Sequence, residues 1–338
     1  MIALRLSEIC AIVSGTLHGP DALITGPVVT DSREARAGSL YVARVGEHAD
    51  GHEFASGAAK AGAVATLGSR PVETMSTIVV ADVQEAFAAL SRAVIERVPG
   101  LNIVGITGSS GKTSTKDMLG QVLAEDGPTI APQGSYNSEV GVPLTVCRIE
   151  ADTRHLVVEM GASGVGHIAY LTQIAPPRIG IVLNVGHAHV GEFESIDQIA
   201  DTKAALVEAL PTDGVAIVNL DDARVAAMAS RTAARVIGVG YGMDADYRAV
   251  DVELDETGRA RFTLVTTASR TPVSLAVHGE HHVRNALAVL AAAVESGIDL
   301  RDAVRAVGAA AAQSRWRMEV YQLADGITLV NDAYNANP

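Results

Sequence analysis

From residue 101 onward, continuous apolar runs alternate with stretches of mixed polarity. LNIVGITG, HLVVEMG, RIGIVLNVG, GVAIVNL and ARVIGVGYG each read as a strand, and the spacing predicts a helix over about 113–125 behind the first of them. Runs that are apolar on both faces fit parallel strands covered by helices on either side. A doubly wound, mostly parallel α/β core is the expected result. Over 249–278 the pattern changes: VDVELDETGRARFTLVTT reads as two strands joined at the turn 255–258, followed by VSLAVHG. This is an antiparallel extension of the same domain. HVRNALAVLAAAVESG is a helix closing near Gly297, another helix is predicted over about 300–312, and GITLVNDAYNANP begins something new.

The first hundred residues mix shorter elements. A helix is predicted over 7–14, ended by Gly15, then strand-like LYVARVG at 40–46, then a helix over 83–97 with Asp82 as its N-cap. Pro99 and Gly100 punctuate the chain after it. The predicted organisation is a small N-terminal α/β domain over 1–98, the central doubly wound domain over 99–314, and the first strand of a C-terminal α/β domain over 315–338.

Composition narrows the function classes. A chain of 338 residues is long enough for two or three domains, each with its own core. The net charge of −13 repels polyphosphate backbones and 4% aromatics leave few stacking platforms, so nucleic acid is excluded as a partner. An anionic ligand must be held by local cations, helix N-termini or a metal ion. The only cysteines, Cys10 and Cys147, provide neither a disulfide framework nor a metal cluster. MIALRLSEIC lacks the basic and apolar regions of a secretory leader, and ALAVLAAAV is too short to span a bilayer. The expectation is a cytoplasmic protein without membrane insertion, a monomer.

GITGSSGKTST at 105–115 lies between a predicted strand and a predicted helix, the setting of a phosphate loop. Its glycines let backbone N–H groups approach phosphate oxygens, Lys112 supplies a charge to a transferring phosphoryl group, and Thr113 offers a hydroxyl to Mg²⁺. The spacing departs from GxxxxGK[ST], because Ile106 stands five residues before Gly111. Glu159 ends an apolar strand, where a carboxylate packs poorly but can meet a ligand at the carboxyl edge of the sheet, a metal included. Asp31, Ser32 and Arg33 in a turn either bind a pyrophosphate or fix a loop, and His52 either contacts a ligand or is a packed loop histidine.

TGSSGKTST resembles the phosphate loop of the Mur ligases, which share the shortened glycine spacing. YNSEVGVPLT, VVEMGASGVGHIAYL, NVGHAHVGEF and NDAYNANP extend the resemblance over essentially the whole chain, most closely to the branch of that family that adds a dipeptide. The resemblance implies an ATP-dependent C–N ligase of peptidoglycan synthesis. ATP activates the carboxylate of a UDP-N-acetylmuramoyl tripeptide as an acyl phosphate, and the amine of D-alanyl-D-alanine attacks it.

The resemblance also assigns residues. Gly108, Ser109, Ser110, Gly111, Lys112, Thr113 and Ser114 become the ATP loop; Asn285 reads the adenine, and Arg317, Asp332, Tyr334 and Asn335 complete the ATP contacts. Thr113, Glu159, His189 and Lys203 become the Mg²⁺ set, with Lys203 carbamylated; Lys112, His189 and Lys203 are the catalytic candidates. From its helix alone, Lys203 reads as a solvated residue, Asn285 reads as a polar cap, and His187 has no assignment. Asp31, Ser32, Arg33 and His52 fall in a region resembling the UDP-binding part of the family, and Asn137 and Ser138 near the reaction centre, where Ser138 replaces a second asparagine.

Two alternatives stand beside this reading: a sibling ligase that adds another amino acid or a polyglutamate tail, and a nucleotide-binding module without catalysis. Because the third domain of the family binds the incoming dipeptide, a chain ending at Pro338 is expected to bind nucleotide poorly and to form no amide.

Overall fold

A computed structural model describes residues 1–132, 134–186, 193–323 and 326–335. The chain divides into two compact units, one formed by Met1–Leu101 with Glu139–Thr153, the other by Asn102–Ser138 with Arg154–Pro338.

The first unit is built on a five-stranded sheet of β1 (Thr16–His18), β2 (Val28–Val29), β3 (Leu40–Val42), β4 (Ala65–Gly68) and β5 (Ser76–Val79), in the spatial order β1-β5-β4-β3-β2. All pairs are parallel except β1 with β5. Two helices pack together beside it, α1 (Leu6–Val13) and α2 (Val83–Glu96). Asp82 caps α2 as expected, its Oδ1 accepting from Gln84 N at 2.8 Å and Glu85 N at 3.0 Å.

The segment 139–153, assigned from sequence to the central domain, belongs to this first unit. Its short helix Gly141–Val146 buries Val142 and Val146 and packs on α2. Cys147 follows, fully buried beside Ser91, its thiol pushed up to about 12 by burial. No helix is predicted over 139–153 from the sequence pattern, and nothing local in it says which core buries the segment.

The second unit carries a nine-stranded sheet. In chain order its strands are β6 (Asn102–Thr107), β7 (Thr129–Ile130), β8 (His155–Glu159), β9 (Ile179–Val182), β10 (Val215–Asn219), β11 (Arg235–Gly240), β12 (Tyr247–Leu254), β13 (Arg259–Val265) and β14 (Arg270–His278). Their spatial order is β14-β13-β12-β11-β10-β9-β6-β8-β7. From β7 to β12 neighbouring strands are parallel, and β13 and β14 join antiparallel. The expected fold class is therefore the observed one.

One face of this sheet is covered by α3 (Lys112–Ala124), α6 (His281–Glu295) and α7 (Leu300–Ala309), the other by α4 (His167–Ile174) and α5 (Ile196–Glu208). Buried alanines along α6, among them Ala286, Ala288, Ala291 and Ala292, let it approach α3 and the strands closely. A two-stranded hairpin, β15 (Glu319–Gln322) and β16 (Thr328–Asn331), groups with this unit. No helix among the described residues is long and apolar enough to cross a membrane.

Candidate active site at the phosphate loop

Strand β6 lies between β8 and β9: after it the chain forms β7 and β8 on one side and then crosses to β9 on the other. The carboxyl ends of strands at such a reversal form the crevice where open α/β sheets bind ligands. The loop 108–111 emerges there and runs directly into α3, whose first residue is Lys112. Gly111 has φ +81°, and a Cβ on it would stand 2.9 Å from Asn285 Oδ1. Both the conformation and the space call for glycine.

Backbone and side-chain bonds hold the loop. Asn184, just after β9, accepts from Ser109 N at its carbonyl (3.0 Å) and from Ser110 N at Oδ1 (2.9 Å), and donates from Nδ2 to Ser110 O (3.2 Å). Gly186 N donates to Ser109 Oγ at 2.8 Å. Asn184 is a residue the sequence reading left unassigned, although it opens the NVGHAHVGEF motif. An asparagine at the end of an apolar strand is its signal.

Lys112 Nζ donates to Gly108 O at 2.7 Å. Burial lowers the pKa of this ammonium; the Glu159 charge works against that shift and Arg317 adds to it. Glu159 closes β8 and is fully buried. Its Oε2 accepts from Thr113 Oγ1 at 3.0 Å, and its Oε1 from Asn137 Nδ2 at 2.7 Å and Ser135 Oγ at 2.9 Å. Asn137 thus spends its amide on Glu159, and Ser135 joins the site without having been singled out from sequence. Ser138 follows at the end of the same segment.

Lys203 sits on α5 with 5% of its surface exposed, so its reading as a solvated residue is wrong. It occupies the stripe defined by the buried Ile199, Leu206 and Val207. Burial, with the charge of Lys112 second, brings its pKa down to about 7. His187 and His189 lie outside the described residues.

Arg317 Nη2 donates to Thr113 Oγ1 at 3.4 Å, and its guanidinium lies 3.9 Å from the centre of the Tyr334 ring. Its Nε is buried with no hydrogen-bond partner among the described residues. Asp332 Oδ1 accepts from Met318 N at 3.2 Å. A polar cavity of about 110 Å³ is lined by Ser109 to Ser114, Ser135, Asn137, Glu159, Arg317 and Asn335. A larger one of about 280 Å³ is lined by Ser110, Gly111, Ser114, Asn184, Asn285, Arg317 and Asp332, together with His281 and Arg284, which the sequence reading did not assign. Arg284 is held there by Asp221 at 3.2 Å and by the face of Tyr241.

In the first unit, Asp31 and Arg33 bond to each other. Asp31 Oδ1 accepts from Arg33 N and Nε, both at 2.9 Å, and Oδ2 from Arg33 Nη2 at 2.6 Å, across the turn Ser32–Glu34. The arginine's hydrogen bonds hold the Asp31 carboxyl at about 2. Of the two sequence alternatives this geometry is the loop-fixing one, though the Arg33 side chain is largely exposed. His52 is buried; Ser69 N–H donates to its Nε2 at 3.0 Å, so Nδ1 carries the ring proton and gives it to Asp50 at 2.6 Å. With both nitrogens engaged inside the protein, His52 has the geometry of the packed loop histidine.

Comparison with known proteins decides what this arrangement belongs to. The Mur ligase middle domain matches residues 106–293 and the catalytic domain of the Mur ligase family matches 27–106. The chain belongs to the Mur ligase family. The UDP-N-acetylmuramoyl-tripeptide–D-alanyl-D-alanine ligase of Mycobacterium tuberculosis is 44% identical over 366 residues, covering 100% of this chain and 72% of that ligase. The crystal structure of MurF from Acinetobacter baumannii superposes with a TM-score of 0.90 at 32% identity, covering 98% of this chain and 73% of that one. A MurF ligase from Thermotoga maritima, solved in complex with ADP, gives a TM-score of 0.79 at 29% identity, with 93% and 72% covered. These two structures superpose on nearly all of this chain, and the loop, Glu159 and Lys203 lie in the segment that matches the middle domain.

Proposed function

We propose that this protein is an ATP-dependent amide-bond ligase that joins D-alanyl-D-alanine to a UDP-N-acetylmuramoyl tripeptide through an acyl phosphate. The observation that carries the reading is the polar pocket that Lys112, Thr113, Glu159 and Arg317 line together at the phosphate loop, with Thr113 bonded to both Glu159 and Arg317. Loop N–H groups, at the start of α3, bind and orient the ATP phosphates. Lys112 and Arg317 bring two positive charges to the oxygens on which charge develops as the terminal phosphoryl group passes to the tripeptide carboxylate. The dipeptide amine then attacks the acyl phosphate carbon, and phosphate leaves with the bonding pair.

The donor set suits Mg²⁺, which takes oxygen ligands. Thr113 Oγ1 and the Glu159 carboxylate would hold it, with Ser135 and Asn137 fixing the carboxylate from behind. A carbamate on Lys203 would add a further oxygen ligand, and the resemblance adds His189. When bound, the ion spreads charge off the phosphoryl oxygens. Carbamylation needs a neutral amine, and an amine whose pKa is about 7 supplies one where an ordinary lysine does not.

In this reading residues 1–98 hold the UDP sugar, with Asp31, Ser32 and Arg33 forming its loop; 99–314, less the segment 139–153, hold ATP; and 315–338 open a third domain. Asn285 reads the adenine, Ser138 contacts the tripeptide, and Tyr334 and Asn335 complete the ATP site. The reaction is cytoplasmic and needs no nucleic acid or membrane insertion, and the protein acts as a monomer. The test is phosphate release from ATP with the UDP-muramoyl tripeptide and either D-alanyl-D-alanine or free amino acids. Release with the dipeptide alone supports the reading, whereas preference for a single amino acid or glutamate assigns a sibling ligase.

A further inference from the structure

Lys116 and Asp117, one turn into α3, are buried charges with 2% and 5% of their surface exposed. Lys116 Nζ donates to Asp117 Oδ1 at 2.5 Å, to Pro132 O at 3.0 Å and to Ser314 Oγ at 3.3 Å. An ammonium has three N–H bonds, so its donors are fully used. Asp117 Oδ2 accepts from Ser314 N at 2.9 Å and Oδ1 from Ser314 Oγ at 3.2 Å. One turn further along, Gln121 exchanges bonds with the backbone of Ala311 at 2.8 and 3.1 Å. The stretch 311–314 is thereby fastened to the helix that the phosphate loop opens.

Both partners of Lys116 outside its own helix lead into the phosphate pocket. Pro132 stands before the segment that brings Ser135 and Asn137 to Glu159. Ser314 stands before the segment that brings Arg317 to Thr113. Trp316 and Met318, on either side of Arg317, have φ +62° and +49°. Side chains avoid this left-handed backbone, and it persists where surrounding contacts impose it. Asp117 supplies the contact on one side, and Asp332 and Tyr334 on the other, through Met318 N to Asp332 Oδ1 and Tyr334 N to Trp316 O, both at 3.2 Å.

We infer that the Lys116–Asp117 pair is a positioning device for phosphoryl transfer, setting Arg317 against Thr113 through Ser314 and steadying the Ser135–Asn137 segment through Pro132. A buried ion pair is poor at adding stability relative to apolar side chains of the same volume, which fits a role in fixing geometry. The inference rests on the pocket being an ATP site, and its test separates the two.

Trp316 is the only tryptophan of the 338-residue chain and is about half exposed. Its collisional quenching by iodide reports the seating of the segment without a label and without nucleotide. Asp117→Asn and Ser314→Ala are expected to increase that quenching while far-UV circular dichroism stays unchanged. Ser314→Ala leaves the ion pair intact on a part-buried loop, so it carries the test even where Asp117→Asn fails to fold.

The second arm is ATP affinity in a double-mutant cycle. Ser314→Ala should weaken ATP binding roughly 3- to 10-fold, the worth of one hydrogen bond. In an Arg317→Ala background the same change should have less than about a 2-fold effect, because residues acting as a unit are not additive. Unchanged Trp316 quenching in the folded variants, or an additive cycle, overturns the inference. Absence of any ATP binding by the unaltered protein, weak binding included, refutes the nucleotide reading instead, and the quenching arm still decides the seating.

Discussion

Thr113 Oγ1 donates to Glu159 Oε2 across 3.0 Å, tying the first turn of α3 to the last residue of β8. That bond joins two parts of the proposed phosphoryl-transfer site that lie 46 residues apart in sequence: the helix that would receive phosphate and the carboxylate suited to a cation. Glu159 has no exposed surface, so its charge must be matched inside the pocket.

Glu159→Gln tests this carboxylate with little change of shape. Turnover should fall by at least about 100-fold, in the range seen when one electrostatic contact to a transition state is removed. Stability should drop by roughly 1–3 kcal/mol, because the amide N–H₂ replaces one acceptor oxygen and faces a donor in either orientation, Thr113 on one side or Asn137 and Ser135 on the other. Steady-state kinetics and urea unfolding check the two effects; full activity would remove Glu159 from the site.

Lys112→Ala should lower turnover of the ligase by at least about 100-fold with the fold intact. Its side chain is a half-buried cation whose desolvation opposes folding and whose bond to Gly108 O favours it, so the variant's melting temperature should stay close to that of the parent. An unchanged rate would mean that the loop does not act on phosphate.

Lys203 makes a prediction about stability against pH. Its folded-state pKa of about 7 lies below its ordinary 10.5, so between those values the unfolded chain binds more protons than the folded one. Stability therefore rises with pH across that window, and below it the cost of burying the charge is complete. In buffer free of carbon dioxide, Lys203→Met should be more stable than the parent near neutral and lower pH, with the gap closing toward alkaline pH. A gap independent of pH would contradict the burial of a titrating amine here. Lys203→Ala should be nearly inactive, added short carboxylates should restore part of the rate, and mass spectrometry of the native protein should find the carbamate.

Asp82→Ala addresses the first unit alone. Losing the side chain that caps α2 should cost about 1 kcal/mol of stability in urea unfolding. A change near zero would mean that the cap contributes nothing to holding the helix.

Much of this architecture is legible in the sequence because its determinants are local. Apolar runs such as LNIVGITG and GVAIVNL can only be buried on both faces, and glycine spacing before Lys112 marks a loop between strand and helix. The antiparallel turn 255–258 is written in its Asp and Gly, and the Asp255 carboxylate caps it by accepting from Thr257 N and Arg259 N. What the pattern does not hold is the choice of partner. The pattern over 139–153 marks no helix and names no core, and only the folded chain forms Gly141–Val146 and sends it to α2. Lys203 looks like a solvated lysine because polarity outweighs its position on the Ile199–Val207 stripe, whereas its burial follows from packing α5 against the sheet. Asn184 is missed for the opposite reason: a single asparagine after a strand carries no periodicity, and its function is to hold Ser109 and Ser110 from 74 residues away or more.

In the proposed reaction the terminal phosphoryl group of ATP is transferred to a carboxylate of the tripeptide at this pocket. This transfer is tested most directly with UDP-muramoyl tripeptide carrying ¹⁸O in its reacting carboxylate, ATP and D-alanyl-D-alanine, followed by mass analysis of the phosphate released. Transfer through an acyl phosphate leaves one carboxylate oxygen on phosphorus, so the account predicts one ¹⁸O in each phosphate formed together with an amide bond. Phosphate that is released without label, or without the amide product, would contradict it.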